Sequence, residues 1–190
     1  MRGRDEIAEH HEDHARGYAK GPVSRRGLHG RAILAKVRCR NALSCASVIG
    51  ALIVTHGQLA NELLNAARQI ESEVGVIEAV PLEWTDSVDE AREKIRQALE
   101  RLGTVHGVII FTDMFGGTPS NLSLSFLEKD RVEIVTGVNL PMVVKFASMA
   151  HDAQDLATLA HVISEKGSKA IRVASDLLSA TGERRAGASG

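Results

Sequence analysis

A chain of 190 residues is long enough for one ordinary domain with a sizeable core, and 44% apolar residues point to a globular one. Aromatic side chains make up only 3%, so that core is aliphatic, and no stretch approaches the roughly 18–20 apolar residues of a membrane span. The net charge of −1 hides a split: residues 1–47 carry ten Lys/Arg against five Asp/Glu, a net of +5, while residues 48–190 carry 13 against 19, a net of −6, which argues against nucleic-acid binding by the larger part.

Residues 1–47 are polar and charged with little periodicity, and are expected to be a disordered basic extension with at most a weak helix at 31–37. Both cysteines, Cys39 and Cys45, lie here, so no disulfide framework supports the rest of the chain. His10 and His14 have the spacing of one helix face, with His11 between them, which raises a metal reading. In "HEDHA", however, the second histidine comes one residue too early for the zincin pattern, and a solvated polar tail is the preferred reading. No metal and no cofactor are therefore expected. The apolar run 46–54 follows basic residues and imitates a secretory signal, but it leads directly into Thr55–His56–Gly57 without a cleavage-type region. It is read as a strand, and the protein as cytoplasmic.

From Val48 onward the order is regular. "VIGALIVT" is a buried strand, and "GQLANELLNAARQIE" an amphipathic helix with Leu59, Leu63, Ala66, Ala67 and Ile70 at helical spacing. "VGVIEAVPL" is a second strand. Ser87 caps a helix running to Leu102, with Glu90 three residues on completing a capping box. "GVIIFTD" is a third strand, "MFGG" a turn, and "TPSNLSLSFLEK" opens as a helix with Pro119 in its first turn. "RVEIVTG" is a fourth strand and "VNLP" a turn, followed by helices at 142–151 and 152–166, the latter ended by Gly167. "KAIRVA" (169–174) reads as a short strand followed by a short helical piece, and 180–190 as a flexible tail. The alternation predicts an α/β fold: a mostly parallel open sheet with helices on both faces, joined by right-handed crossovers.

In such sheets ligands gather at the carboxyl ends of the strands. The first strand ends in Thr55–His56–Gly57. The third ends in Asp113 and Phe115–Gly116–Gly117–Thr118–Pro119, the fourth in Gly137–Val138–Asn139–Leu140–Pro141. A lone histidine at such a place is more often a satisfied residue near the core, and Gly-Gly-Thr-Pro is also an ordinary turn and helix cap. Together the residues suggest more. A carboxylate at Asp113 that accepts one ring N–H of His56 fixes the tautomer and leaves the other nitrogen as a nucleophile. Gly116 and Gly117 permit close backbone approach, and Thr118 offers a hydroxyl at a helix start suited to an anion. A nucleophilic imidazole, an orienting carboxylate and an anion cradle suit phosphoryl transfer onto nitrogen. Neither a Walker loop nor a dinucleotide fingerprint is present.

"IVTHGQLANELL", "GVIIFTDMFGGTPSNLS" and "IVTGVNLPM" resemble, in order and spacing, the enzyme IIA component of the mannose-type phosphoenolpyruvate:sugar phosphotransferase system, over residues 48–179. The resemblance implies a cytoplasmic α/β domain that accepts a phosphoryl group on histidine from the carrier HPr and passes it to a IIB partner. It places the phosphorylated histidine at His56, its carboxylate partner at Asp113 and the residue near the phosphate at Thr118, with Gly116 and Gly117 beside it. It implies a homodimer that exchanges an antiparallel strand near the C-terminus, for which 169–174 is the candidate, and no direct membrane insertion. No IIB-like segment follows within the 190 residues, so the acceptor is expected to be a separate chain or to be absent. Val48 falls where members of the family begin, and a GTG codon there would start a protein "MIGALIVTHG". Residues 1–47 are accordingly expected to add nothing to the fold. The competing functions are a regulatory module whose phosphorylation reports flux without sugar transport and, ranked below it, the phosphotransfer subunit of dihydroxyacetone kinase, which should lack the Gly-Gly-Thr-Pro turn.

Overall fold

The computed structural model describes residues 48–103, 105–153 and 155–176. The expectations for residues 1–47, the His10–His11–His14 cluster and the helix at 31–37 among them, and for the tail at 180–190 lie outside the described residues.

The elements alternate as β1 Ile49–His56, α1 Leu59–Ile70, β2 Ile77–Leu82, α2 Val88–Arg101, β3 Gly107–Thr112, α3 Thr118–Ser123 with a 3₁₀ turn Leu124–Phe126, β4 Val132–Thr136, α4 Leu140–Met149 and α5 Leu156–Ala170. The four strands form one parallel sheet in the order β2-β1-β3-β4. The winding starts at β1, moves outward to β2, then returns to the opposite side of β1 for β3. The direction therefore reverses between β1 and β3, and in open α/β sheets ligands bind at such a point on the carboxyl side.

Because successive strand side chains point to opposite faces, the two apolar layers can be read residue by residue. Ile49, Ala51 and Ile53 of β1 join Ile109 and Phe111 of β3 beneath α1, α4 and α5, where Leu64, Phe146 and Ile163 close the core. Phe111 and Phe146 meet edge to face, with ring centroids 5.9 Å apart. On the other face Leu52, Val54, Val108 and Ile110 pack against Ile95, Ala98 and Leu99 of α2 and Leu122 of α3. The expected capping box is complete. Ser87 Oγ accepts the Glu90 N–H at 3.3 Å, and Glu90 Oε2 accepts the Ser87 N–H at 2.8 Å.

Four expectations need correction. The third helix is one and a half turns long, after which the chain tightens into the 3₁₀ turn. Asn139 caps α4 through its side chain, so that helix begins at Leu140, with Pro141 in its first turn, where no N–H is needed. Gly167 does not stop the last helix: α5 runs on to Ala170, and Gly167 is not among the glycines with positive φ. Its role is steric. It is buried against α4, a Cβ there would stand 2.5 Å from Met142 Cγ and Sδ, and its carbonyl accepts from Asn139 Nδ2 at 3.3 Å. Residues 169–174 form no strand within the described chain. Lys169 and Ala170 finish α5, and Ile171 follows in extended backbone.

Gly167→Val should therefore destabilise the fold. Helix propensity favours valine by about 0.3 kcal/mol, whereas overpacking costs about 1–3 kcal/mol. Urea unfolding should show a lower midpoint with an unchanged slope; an unmoved midpoint would show that α4 and α5 have room to separate.

Candidate functional site

The carboxyl ends of β1 and β3 are where the predicted residues meet. The last pairing of β1 with β3 is Val54 opposite Thr112. His56 and Asp113 lie just beyond it, at adjacent strand ends. Asp113 Oδ2 accepts the backbone N–H of His56 at 2.9 Å and lies 2.7 Å from His56 Nδ1. Its other oxygen, Oδ1, accepts the Met114 N–H at 2.8 Å. An ionised carboxylate can only accept, so Nδ1 carries the proton and Nε2 holds the free lone pair. Among the described residues Nε2 has no hydrogen-bond partner.

Burial is the largest single influence on Asp113 and pushes its pKa up. The opposing contributions, taken together, outweigh it: the His56 N–H, the His56 ring, the Met114 N–H and the charge of His56. The net effect holds the carboxyl below its ordinary value of 3.8. The group is ready to anchor a ring at neutral pH, and its side chain keeps only 13% of its exposure.

The neighbouring residues take different parts. Thr55 is fully buried, and its hydroxyl accepts the Ala60 N–H at 2.8 Å, satisfying a first-turn donor of α1. Gly57 takes a φ of +52°, and its N–H donates to Leu82 O at 2.8 Å, carrying the β1–β2 ladder one residue past the strand. Gly116 turns the chain with a φ of +83° and accepts from Asn121 Nδ2 at 3.1 Å. Gly117, the residue before α3, keeps the space beside the histidine clear: a Cβ there would stand 2.9 Å from His56 Cε1 and 3.5 Å from Nε2. Thr118 is the exposed first residue of α3. The structure thus brings His56 and Asp113 into contact and sets Gly117, flanked by Gly116 and Thr118, where any side chain would meet the ring. It does not bring in Asn139, whose side chain is spent on capping α4 and binding Gly167.

One neighbour escapes the sequence reading altogether. Trp84, two residues past β2, lies flat on the imidazole of His56, with centroids 4.9 Å apart and planes inclined by 16°. Its signal was present: it is the chain's single tryptophan, set in the polar turn directly after a predicted strand. Only the adjacency of β2 to β1 shows that this turn overlooks His56. Among the described residues no group of three or more His, Cys, Asp or Glu side chains is arranged to hold a metal ion. No helix among them is long and apolar enough to cross a membrane.

The depressed pKa of Asp113 has a stability consequence. A carboxylate more acidic in the folded state stabilises the protein above its unfolded-state value, and that gain is lost as the pH falls through the folded-state value, below 3.8. Asp113→Asn should cost about 1–3 kcal/mol at neutral pH. In urea unfolding at a series of pH values, the gap between wild type and variant should hold down to the ordinary carboxylate range and close below it. A gap independent of pH would mean that the charge of Asp113 contributes nothing to folding.

Comparisons with known proteins bear on the family to which this fold belongs. The sequence model of the family described as "PTS system fructose IIA component" matches residues 50–163. The chain is similar to a protein of Bacillus subtilis (strain 168) named "PTS system fructose-specific EIIA component", at 33% identity over 103 residues covering 54% of this chain and 70% of that protein. It is also similar to the "PTS system mannose-specific EIIAB component" of Escherichia coli (strain K12), at 35% identity over 65% of this chain but only 40% of that longer protein. Among solved structures, the PTS IIA protein associated with the fucose utilization operon from Streptococcus pneumoniae superposes with a TM-score of 0.61 at 27% identity, covering 71% of this chain and 99% of that one. The chain belongs to the mannose-type enzyme IIA family, whose members are phosphotransferase components of sugar transport systems.

Proposed function

We propose that the protein is a phosphohistidine carrier: Nε2 of His56 accepts a phosphoryl group from HPr and hands it to a IIB partner. The observation that carries this reading is the Asp113–His56 pair, with Nδ1 held at 2.7 Å from the carboxylate and Nε2 left without a partner among the described residues. Attack by Nε2 on phosphorus breaks the bond between phosphorus and the donor, which leaves with the electron pair; the Nδ1 proton stays in place, so the ring becomes positively charged, and the adjacent Asp113 carboxylate stabilises that charge as it develops. Gly116, Gly117 and Thr118 are assigned to the phosphoryl oxygens. Gly117 leaves open the space beside Cε1 and Nε2 that any side chain would fill. The first turn of α3, which it precedes, has backbone N–H groups with no partner inside the helix. Both protein partners are carried by the family, and a cytoplasmic location goes with them.

Incubation with phosphoenolpyruvate, enzyme I and HPr, followed by intact-mass measurement, tests the reading. Wild type should gain one acid-labile, base-stable phosphoryl group and His56→Ala none. Asp113→Asn should be labelled about ten- to a hundredfold more slowly, the value of one charge-assisted hydrogen bond acting fully in the transition state. Label persisting on His106, His151 or His161 in the His56→Ala protein would overturn the assignment.

A homodimer belongs to the same proposal. What supports it is the sheet edge: β4 is a terminal strand, and beyond α5 the apolar Ile171 and Val173 are 78% and 63% exposed in irregular, partly extended backbone. A strand exchanged from a partner would cover both the edge and these side chains. Analytical ultracentrifugation should give a dimer for the full chain and a monomer when residues 169–176 are replaced by a Gly/Ser sequence. A monomeric full chain would overturn the proposal.

A further inference from the structure

Trp84 has no place in the core. The residue is 81% exposed, and its aromatic partner among the described residues is the imidazole of His56. An indole left this open to water is not held by burial, yet the turn that carries it is firmly tied. Glu83 N–H donates to Asp86 Oδ2 at 2.8 Å, Asp86 N–H donates to Glu83 O at 3.0 Å, and Lys94 Nζ donates to Asp86 Oδ2 at 2.6 Å. Glu83 Oε1 also accepts from Gln58 Nε2 at 2.8 Å, which fastens the turn to the loop just after His56. The indole is thus presented to the histidine from both sides of its own turn.

The stacking supplies what the Asp113 contact lacks. A single in-plane hydrogen bond at Nδ1 fixes one atom of the ring, while the second torsion of a histidine side chain is broad. Gly117, without a side chain, leaves the Cε1 edge of the ring open. A second ring lying nearly parallel fixes the plane, and with it the line along which the Nε2 lone pair points. There is also an electrostatic preference. The face of an indole carries negative quadrupolar charge and attracts a cationic ring more than a neutral one. An imidazole that is phosphorylated on Nε2 and protonated on Nδ1 is such a cation.

We propose that Trp84 is a positioning residue for phosphoryl transfer at His56, its indole face holding the imidazole plane and favouring the ring in its positively charged, Nε2-phosphorylated form. The inference rests on the carrier reading, so its test separates the two. Phosphoramidate serves as donor because it needs no docking surface: its P–N bond breaks, the Nε2–P bond forms, ammonia leaves with the electron pair and the Nδ1 proton stays on the ring. With full-length protein, Trp84→Ala should take up phosphate roughly two- to fivefold more slowly than wild type, the range of one exposed cation–π contact. Trp84→Phe should recover most of that loss. The emission of the single tryptophan should change in step with labelling in wild type and stay unchanged in His56→Ala. Equal rates for Trp84→Ala and wild type would overturn the proposal. So would equal losses in the Ala and Phe variants, or a loss seen with HPr as donor and absent with phosphoramidate, which would make Trp84 a docking contact. A wild-type protein labelled by neither donor would remove the carrier reading, and this inference with it.

Discussion

One carboxylate oxygen organises the site. Asp113 Oδ2 receives both the backbone N–H and the ring Nδ1 of the same residue, His56, so the end of β1 and the orientation of its side chain are set by a single atom on the end of β3. The arrangement demands a parallel register good to one residue. A slip of β3 against β1 by one position would turn Asp113 to the other face of the sheet and leave the histidine amide and ring without their acceptor. The apolar layers on both faces, which fix that register through Ile49, Ile53, Ile109 and Phe111 on one side and Leu52, Val54, Val108 and Ile110 on the other, are therefore also what aims the imidazole.

Around that pair the rim separates structural work from chemical work. Thr55, Gly57 and Asn139 are polar or glycine residues at strand ends, as a catalytic group would be, yet each is committed to the backbone: one satisfies an amide of α1, one extends a ladder, one caps α4 and ties it to α5. The residues left open are those facing the histidine. Gly117 contributes by having no side chain, and Trp84 by having a large flat one. Desolvating a carboxylate beside an apolar sheet is costly, and three N–H groups directed at Asp113 offset it, which is why the pair persists at the rim of the sheet.

Much of this was legible in the sequence, for definite reasons. Strands covered on both faces leave continuous apolar runs, helices covered on one face leave a period near 3.6, and a box such as Ser87 with Glu90 is a local device that needs no tertiary context. Glycine misled at one position. Its two uses, turning the chain and admitting a neighbour, look identical in one dimension, and Gly167 serves the second. The tryptophan stands at the end of the second strand, in a polar turn with no local feature that points to His56. Nothing in the sequence says that β2 neighbours β1 on the side where the ring of His56 lies.

The sequence by itself determined the alternation of elements, the two-sided aliphatic core, the family resemblance, and the choice of His56, Asp113 and the diglycine turn as the residues worth placing. These depend on spacing within a segment, and hydrophobic periodicity and capping chemistry are properties of segments. Only the tertiary structure decided the strand order β2-β1-β3-β4, the contact of one carboxylate oxygen with two nitrogens of His56, the exclusion of Asn139 from that contact, and the stacking of Trp84. Those facts join residues 28 and 57 positions apart, and distances over such separations are set by the packing of whole layers, which no local pattern encodes.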